Sequence, residues 1–175
     1  MHEAGRLSRE HLRIVAAGDE DAVPANLTPD YFNHRSADEP MDTRQRGPAA
    51  VIATIRWLHR AFTEMRFEIH EVAVNGNMVA LHVTLHARQH GPFVVHDSPD
   101  GTLTHVFPST GRTFAAQQTH WITVDNGADS IHDAVRDDLG KAKRLGWIPP
   151  KPFYIARMLW ARRQERRATP RPERR

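Results

Sequence analysis

The chain has 175 residues and no cysteine, so it is long enough for one well-buried core and has no disulfide, thiolate metal site or cysteine nucleophile. Its net charge of +3 is uneven, because nine basic and two acidic residues lie in the last 25 positions and leave residues 1–150 mildly acidic. We therefore expect no nucleic-acid partner. With no apolar signal segment or membrane-length run, we expect a cytoplasmic protein.

The first third of the chain predicts helices. Ser8 precedes a segment of helical periodicity and is expected to cap a helix that ends near Gly18. Residues 36–47 are polar and contain Pro40, which predicts a loop. Pro48 then opens the strongest helical segment, since proline suits the first helical turn. Its apolar residues recur at helical spacing: Val51, Ile52, Ile55, Leu58 and Phe62.

From residue 65 the pattern alternates, which predicts antiparallel strands. Arg66–Val74 and Met78–His90 flank Asn75-Gly76, a typical hairpin turn. One face of the second strand is entirely apolar: Val79, Leu81, Val83, Leu85 and Ala87. Helices followed by strands predict an α+β fold in which a bent sheet curls over helices and encloses a conical pocket. We expect a single domain over residues 1–150 and a basic amphipathic tail over 151–175.

A second hairpin is predicted around the turn Asn126-Gly127, between Arg112–Val124 and Ser130–Gly140. Alternation puts polar side chains in the middle of each strand's apolar face. Those side chains are Gln118 and His120 on the first strand, and Asp133 and Asp137 on the second, beside Ile131, Val135 and Leu139. Because burying polar groups is costly without partners, this pattern predicts a polar cavity inside the core.

A two-residue turn pairs His120 with Asp133 and Ala116 with Asp137. On this register, we expect Asp133 to orient and charge His120 while Asp137 works as the acid/base. Burial among apolar groups makes a carboxylate a stronger base. The alternative is a buried ion pair that only fixes the two strands.

Four segments in order resemble the SnoaL-like polyketide cyclases of the nuclear-transport-factor-2-like superfamily. They are Asp30-Tyr-Phe-Asn-His34, Arg46-Gly-Pro48 with Ile55-Arg-Trp-Leu58 and Phe62, Phe67–His90 with Gly91-Pro-Phe93, and Gln118-Thr-His120 with residues 134–146. The resemblance implies a cone-shaped barrel of a strongly curved, mostly antiparallel sheet wrapped over N-terminal helices. It also implies a homo-oligomer, either a dimer or a tetramer, with no metal and no organic cofactor.

In function, the resemblance implies intramolecular aldol-type ring closure of a polyketide-like substrate by an aspartate acid/base. Asp137 matches that aspartate by position, and His34 and His120 match pocket histidines of the family. The residues expected to bind substrate are Asn33, Trp57, Phe62, Gln118 and Asp133. This chain departs from the family at Gln89, where a histidine is common, and at Ile131 and Asp133, where glutamate and tryptophan are common.

Other functions stay open. The same pocket suits hydrolysis, isomerisation or hydroxylation of a polyketide, and a non-catalytic ligand-binding or assembly protein is the alternative from another class. A metal site would have to combine His34, His120 and Asp137. Histidines four apart on one strand are about 13 Å from each other and cannot share an ion: His82, His86 and His90. The basic tail is expected to dock on the domain or to contact a neighbouring subunit or an acidic partner.

Overall fold

The computed structural model describes residues 3–34, 39–96, 99–148 and 152–168. The helices are α1 Glu3–Ala17, α2 Val23–Asn26, α3 Pro48–Ala61, α4 Asp138–Leu145 and α5 Pro152–Ala168. The strands are β1 Leu27–Asn33, β2 Phe62–Asn75, β3 Met78–Gln89, β4 Phe93–Val95, β5 His105–Phe107, β6 Thr113–Asp125 and β7 Ala128–Arg136. No helix in these ranges has both the length and the apolar character needed to cross a bilayer.

Five strands form one sheet in the order β1-β7-β6-β3-β2, in which only β1 and β7 run parallel. The sheet stays open, with β1 and β2 at its edges. Strands β4 and β5 form a separate antiparallel pair. Helices α1 and α3 pack on the inner face of the large sheet. The predicted α+β architecture, a mostly antiparallel sheet over N-terminal helices, is confirmed.

The helix ends follow from local chemistry. Helix α1 begins at Glu3, so the predicted cap at Ser8 is wrong. Ser8 lies within the helix, on its buried face. The predicted end at Gly18 is confirmed, with a φ of 74° that glycine adopts easily. Gly47, before α3, has a φ of 84°, and a Cβ there would lie 2.5 Å from the Pro29 carbonyl oxygen.

The centre of the sheet follows the predicted alternation. Every residue of the predicted apolar face of β3 is buried: Val79, Leu81, Val83, Leu85 and Ala87. On the neighbouring strand β6, the buried positions are Phe114, Ala116, Gln118, His120 and Ile122. Two polar side chains therefore lie within the buried face of a central strand, as the sequence predicted.

The hairpin between β6 and β7 contains an unpredicted bulge. Asn126 and Gly127 have φ values of 50° and 79°, which confirms the turn. Val124 pairs with Asp129, but Thr123 pairs with Ile131, so Ser130 is an extra residue. Its Oγ donates a hydrogen bond to the Thr123 carbonyl, 3.1 Å away. One extra residue moves all following side chains of β7 to the opposite face.

The predicted facing and pairing of β7 are therefore wrong. His120 lies opposite Ala134, and Asp133 lies opposite Trp121. The side chains at 131, 133 and 135 are exposed, and the inward positions hold His132, Ala134 and Arg136. Asp133 therefore does not orient His120.

Asp137 lies just beyond β7 instead of within it. Its Oδ1 accepts a hydrogen bond from the Gly140 amide at 2.8 Å, and its side chain is 46% exposed. This is an N-cap, in which a carboxylate satisfies a free amide of the first turn of α4. The prediction that Asp137 faces Ala116 inside the core is wrong, because the chain leaves the sheet after Arg136.

Gln89, at a position where histidine is common in the family, joins the small sheet to the large one. Its side chain is fully buried, and its Nε2 donates to the carbonyls of Gly91 at 3.2 Å and Phe107 at 3.0 Å. Its Oε1 accepts from Trp147 Nε1 at 3.2 Å and from Thr110. Gln89 is therefore a structural cross-link rather than a cavity residue.

The last helix, α5, docks on this same region. Tyr154 Oη donates to the Pro108 carbonyl at 3.0 Å, and Met158 packs against the same core cluster. Its other large apolar side chains are exposed: Phe153, Ile155, Leu159 and Trp160. The predicted domain boundary at residue 150 and the end of the tail beyond residue 168 lie outside the described residues.

We expect Gln89→Leu to lower the free energy of unfolding by about 3 kcal/mol, because several buried polar groups lose their partners. Urea denaturation measures the change. Gln117→Leu, on the exposed face of the neighbouring strand β6, is the control and should stay within about 0.5 kcal/mol of the wild type. Equal effects in the two variants would contradict the cross-linking role of Gln89.

Candidate active site

A cavity lies between the inner face of the large sheet and helices α1 and α3. Its volume is about 100 Å³, several times what one buried water requires. Strands β6 and β7 supply four of its polar side chains: Gln118, His120, His132 and Arg136. Helix α3 and three phenylalanines supply much of its apolar wall: Phe62, Phe93 and Phe114. The cavity is therefore a binding space with two chemically different sides.

The apolar side is a group of aromatic rings in mutual contact. Phe93 lies between Trp57, at a centroid distance of 4.9 Å, and Phe62, at 5.2 Å. Phe114 contacts Phe62 edge-on at 5.4 Å. Trp57 is fixed by a hydrogen bond from Nε1 to the Val94 carbonyl, at 2.9 Å. These rings form a wall that suits a flat, apolar ligand.

The polar side centres on His120, whose side chain is almost completely buried. Its Nε2 lies 2.8 Å from Gln118 Oε1, and its Nδ1 lies 2.8 Å from His132 Nε2. The two imidazole planes differ by only 3°, so the hydrogen bond between them lies in the plane of both rings. Because the amide oxygen only accepts, His120 Nε2 donates, and Nδ1 of a neutral His120 accepts from His132 Nε2.

Both rings are held neutral. Burial is the main cause that lowers the pKa of His120 to about 3, and positive charge at His11 and Arg136 adds to the effect. Burial also holds the pKa of His132 well below its ordinary value, with the same charges and His120 contributing. At neutral pH, this pair presents neutral imidazoles to the cavity.

A second polar group lies in the segment that was predicted to be a loop. Glu39 is 2% exposed and accepts a hydrogen bond from Thr54 Oγ1 at 3.1 Å. Arg136 Nη1 lies 3.7 Å from its other oxygen. Lys141, from α4, also lines the cavity and has its Nζ 5.0 Å from the centre of the Phe93 ring. Glu39 is the one carboxylate among the described cavity-lining residues.

The structure brings together five of the eight predicted site residues. Those that line the cavity are Asn33, Trp57, Phe62, Gln118 and His120. Asp133 lies outside the cavity because of the bulge in β7, and Asp137 lies outside it because it caps α4. His34 is exposed, and its backbone amide pairs with the His132 carbonyl at 2.9 Å. No three His, Asp or Glu side chains within the described ranges are arranged to hold a metal ion.

Sequence reasoning missed His11, Glu39, His132 and Arg136. His11 carried a usable signal, because it lies on the same helix face as Leu12 and Val15 and so on the buried side of α1. His132 and Arg136 were assigned to the outer face because the bulge was not recognised. Glu39 has no local pattern that distinguishes it from a surface glutamate.

Comparisons with known proteins find relatives that match most of the chain. The family model described as a SnoaL-like domain matches residues 8–129. The aklanonic acid methyl ester cyclase DnrD of Streptomyces peucetius is 29% identical over 147 residues, which cover 83% of this chain and 92% of that protein. The corresponding cyclase DauD of Streptomyces sp. strain C5 is 28% identical over 148 residues, covering 83% of each protein.

Solved structures share the fold. TsrD from Streptomyces laurentii superposes with a TM-score of 0.65 and 22% identity over 82% of this chain and 95% of that one. A SnoaL-like polyketide cyclase from Agrobacterium tumefaciens gives 0.62 and 12% identity over 83% and 100%. The fold is thus of the nuclear-transport-factor-2-like class. The chain belongs to the SnoaL-like polyketide cyclase family.

The neutral histidines predict how stability depends on pH. Between pH 6.5 and pH 4 the unfolded chain binds protons at His120 and His132 that the folded protein does not, so the free energy of unfolding should fall as pH falls. With its pKa at about 3, His120 alone contributes on the order of 3 kcal/mol over this range. Chemical denaturation at several pH values measures the slope.

His120→Gln should flatten this slope. His82→Gln, which removes an exposed histidine on the outer face of β3, is the control and should leave it unchanged. A slope that stays the same in His120→Gln would show that His120 is not held neutral by burial.

Proposed function

We propose that the protein closes a ring in a polyketide-like carbonyl substrate by an intramolecular aldol reaction, with His120 as the acid/base. The observation that carries the proposal is a buried, neutral imidazole on the polar wall of a cavity whose opposite wall contains aromatic rings. Kinship with proteins named aklanonic acid methyl ester cyclases supports the substrate class.

The chemistry needs only a modest base. A carbon between two carbonyl groups carries an acidic proton, and a neutral imidazole can remove it. When substrate takes the place of Gln118 beside His120 Nε2, both histidines change tautomer: His120 then carries its proton on Nδ1, which donates to His132 Nε2, and the free lone pair of His120 Nε2 accepts the substrate proton. The resulting enolate carbon attacks a second carbonyl carbon of the same molecule. One C–C bond forms, the carbonyl electrons move to oxygen, and the proton returns from His120 to that alkoxide. The product is an isomer of equal mass.

The remaining wall residues support the same reaction. The amides of Asn33 and Gln118 line the cavity and can donate hydrogen bonds to the developing oxyanion. Aromatic rings at Trp57, Phe62 and Phe93 suit a flat substrate and would hold its reacting carbons close together. No cofactor is required for these steps.

The family resemblance assigns the acid/base role to Asp137 instead. Asp137 is half exposed and caps α4, whereas His120 faces the cavity. The two assignments make different predictions for variants. Asn also caps helices well, so Asp137→Asn removes the charge and leaves the fold intact.

With aklanonic acid methyl ester as the probe, we expect the wild-type protein to produce an isomer of equal mass. Liquid chromatography with mass spectrometry measures its formation. His120→Gln should reduce kcat about 100-fold, whereas Asp137→Asn should keep kcat within about two-fold of wild type, since its side chain lies outside the cavity. Loss of activity in Asp137→Asn alone would favour the aspartate mechanism.

A product of different mass would indicate hydrolysis or hydroxylation. A bound but chemically unchanged probe would indicate a carrier. Either result would contradict ring closure.

A further inference from the structure

One end of the cavity carries two cationic side chains, Arg136 at the end of β7 and Lys141 on α4. Both line the cavity and are mostly buried, with exposed side-chain fractions of 17% and 14%. Asp138 contacts both of them: its Oδ2 lies 3.6 Å from Arg136 Nε, and its Oδ1 lies 2.5 Å from Lys141 Nζ. One carboxylate therefore holds the two cations side by side.

The balance of charge at this end of the cavity is positive. Among the described lining residues, the two cations are accompanied by one carboxylate, Glu39, whose Oε1 lies 3.7 Å from Arg136 Nη1. Asp138 lies outside the cavity lining, and its side chain is 44% exposed, so water screens its charge. The mostly buried cations are screened less. A ligand with a negative charge is therefore favoured at this end.

Lys141 lies against the aromatic wall. Its Nζ is 5.0 Å from the centre of the Phe93 ring, which contacts the rings of Trp57 and Phe62. The ring stabilises the ammonium without neutralising its charge. Because an ammonium has three N–H donors, it can serve Asp138 and a ligand oxygen at the same time. A flat ligand beside this wall can therefore bring an oxygen on its edge to Lys141.

Arg136 lies near the reacting group. It is directly opposite Gln118 in the pairing of β6 with β7, and Gln118 Oε1 lies 2.8 Å from His120 Nε2. The charge of Arg136 acts at this place, since it contributes to the lowered pKa of His120. A substrate that takes the place of Gln118 beside His120 therefore lies near Arg136 as well.

We infer that Lys141 and Arg136 bind an anionic oxygen that is conjugated to a flat part of the substrate. The inference rests on the proposed ring closure, in which loss of the carbon proton to His120 leaves a negative charge on an enolate oxygen. A phenolate already present on the substrate offers the same chemistry. Both anions are stabilised by cations that are fixed before the ligand enters. The substrate class is thereby narrowed to planar compounds with an acidic enol or phenol oxygen.

The two cations also link proton uptake by His120 to the arrival of the anion. Positive charge nearby disfavours a proton on the resting imidazole and so lowers its pKa. When the substrate carbon gives its proton to His120 Nε2, the enolate gains a negative charge that offsets this repulsion. His120 is therefore protonated together with formation of the enolate, and it returns the proton to the alkoxide after the C–C bond has formed.

Binding of 4-nitrophenolate tests the inference without turnover. At a pH where this probe is fully ionised, isothermal titration calorimetry should show saturable binding to the wild type. Lys141→Met should weaken this binding about 10-fold, since a charged hydrogen bond is lost, whereas Lys141→Arg keeps the charge and should retain most of the affinity. Lys143→Met is the matched control, because Lys143 is an exposed lysine of the same helix, and it should bind as wild type does.

The methyl ether 4-nitroanisole is the matched ligand, because it has the same ring and cannot ionise. Its binding should differ less than about two-fold between the wild type and Lys141→Met. Equal losses for both ligands, or a wild type without saturable binding of 4-nitrophenolate, would overturn the inference. If Lys141→Met does not fold, the comparison of the two ligands on the wild type decides, and equal affinity for both overturns it.

Kinetics with aklanonic acid methyl ester distinguish the two sources of the anion. Lys141→Met should lower kcat about 10-fold with little change in KM if the oxygen belongs to the enolate, and should raise KM about 10-fold if it belongs to a phenolate of the bound substrate. An active variant with unchanged kcat and KM overturns the inference and leaves ring closure intact. A wild type that converts no probe contradicts ring closure, while 4-nitrophenolate binding still decides whether the anion site exists.

Discussion

One extra residue in β7 determines which chemical groups line the cavity. At the bulge, Asp129 and Ser130 are both buried, although they are neighbours in a strand where successive side chains normally point to opposite faces. Asp129 therefore lies inside next to His11, and the positions after the bulge bring His132 and Arg136 inside as well. Without the extra residue, Ile131, Asp133 and Val135 would face the cavity instead. The histidine pair, the contact between His11 and Asp129 and the ion pair to Glu39 all depend on this local change in register.

A polar wall inside a hydrophobic core is stable only when its groups find partners. Here the partners are grouped locally. Gln118 and His132 are the hydrogen-bonding partners of His120, and Thr54 and Arg136 contact Glu39. Because Gln118 and His120 lie on β6 and His132 and Arg136 on the adjacent strand β7, the backbone hydrogen bonds of the sheet fix the spacing of these four side chains. The cavity is consequently preorganised before any ligand enters.

The parts of the fold that were predictable are those where one local pattern determines the outcome. Alternation on β3 and β6 determines which strand face is buried, so Gln118 and His120 were correctly expected to face the core. Gly18 and Pro48 likewise mark the end of α1 and the start of α3. The bulge was not predictable from these patterns, because Ser130 differs from an ordinary strand residue only through contacts to Thr123 and Asp125. Its consequence was large, since it moved Asp133 outside and His132 inside. Asp137 lies outside for a separate reason, because the strand ends at Arg136 and Asp137 caps α4. Glu39 is buried beside Thr54 and Arg136, which are distant in the sequence, so the residues around Glu39 do not predict its burial.

The position of α5 has a practical consequence for handling the protein. By composition, the last 25 residues look like an expendable basic extension. Yet Tyr154 belongs to the same cluster as Trp57, Phe62 and Phe93, whose rings form the floor of the cavity. Cutting the chain before Pro152 would remove Tyr154 from this cluster, together with the hydrogen bond that its hydroxyl donates to the carbonyl of Pro108. A shortened version made for crystallisation or fusion would therefore lose part of the cluster to which the aromatic wall of the cavity belongs, although no cavity-lining residue had been changed.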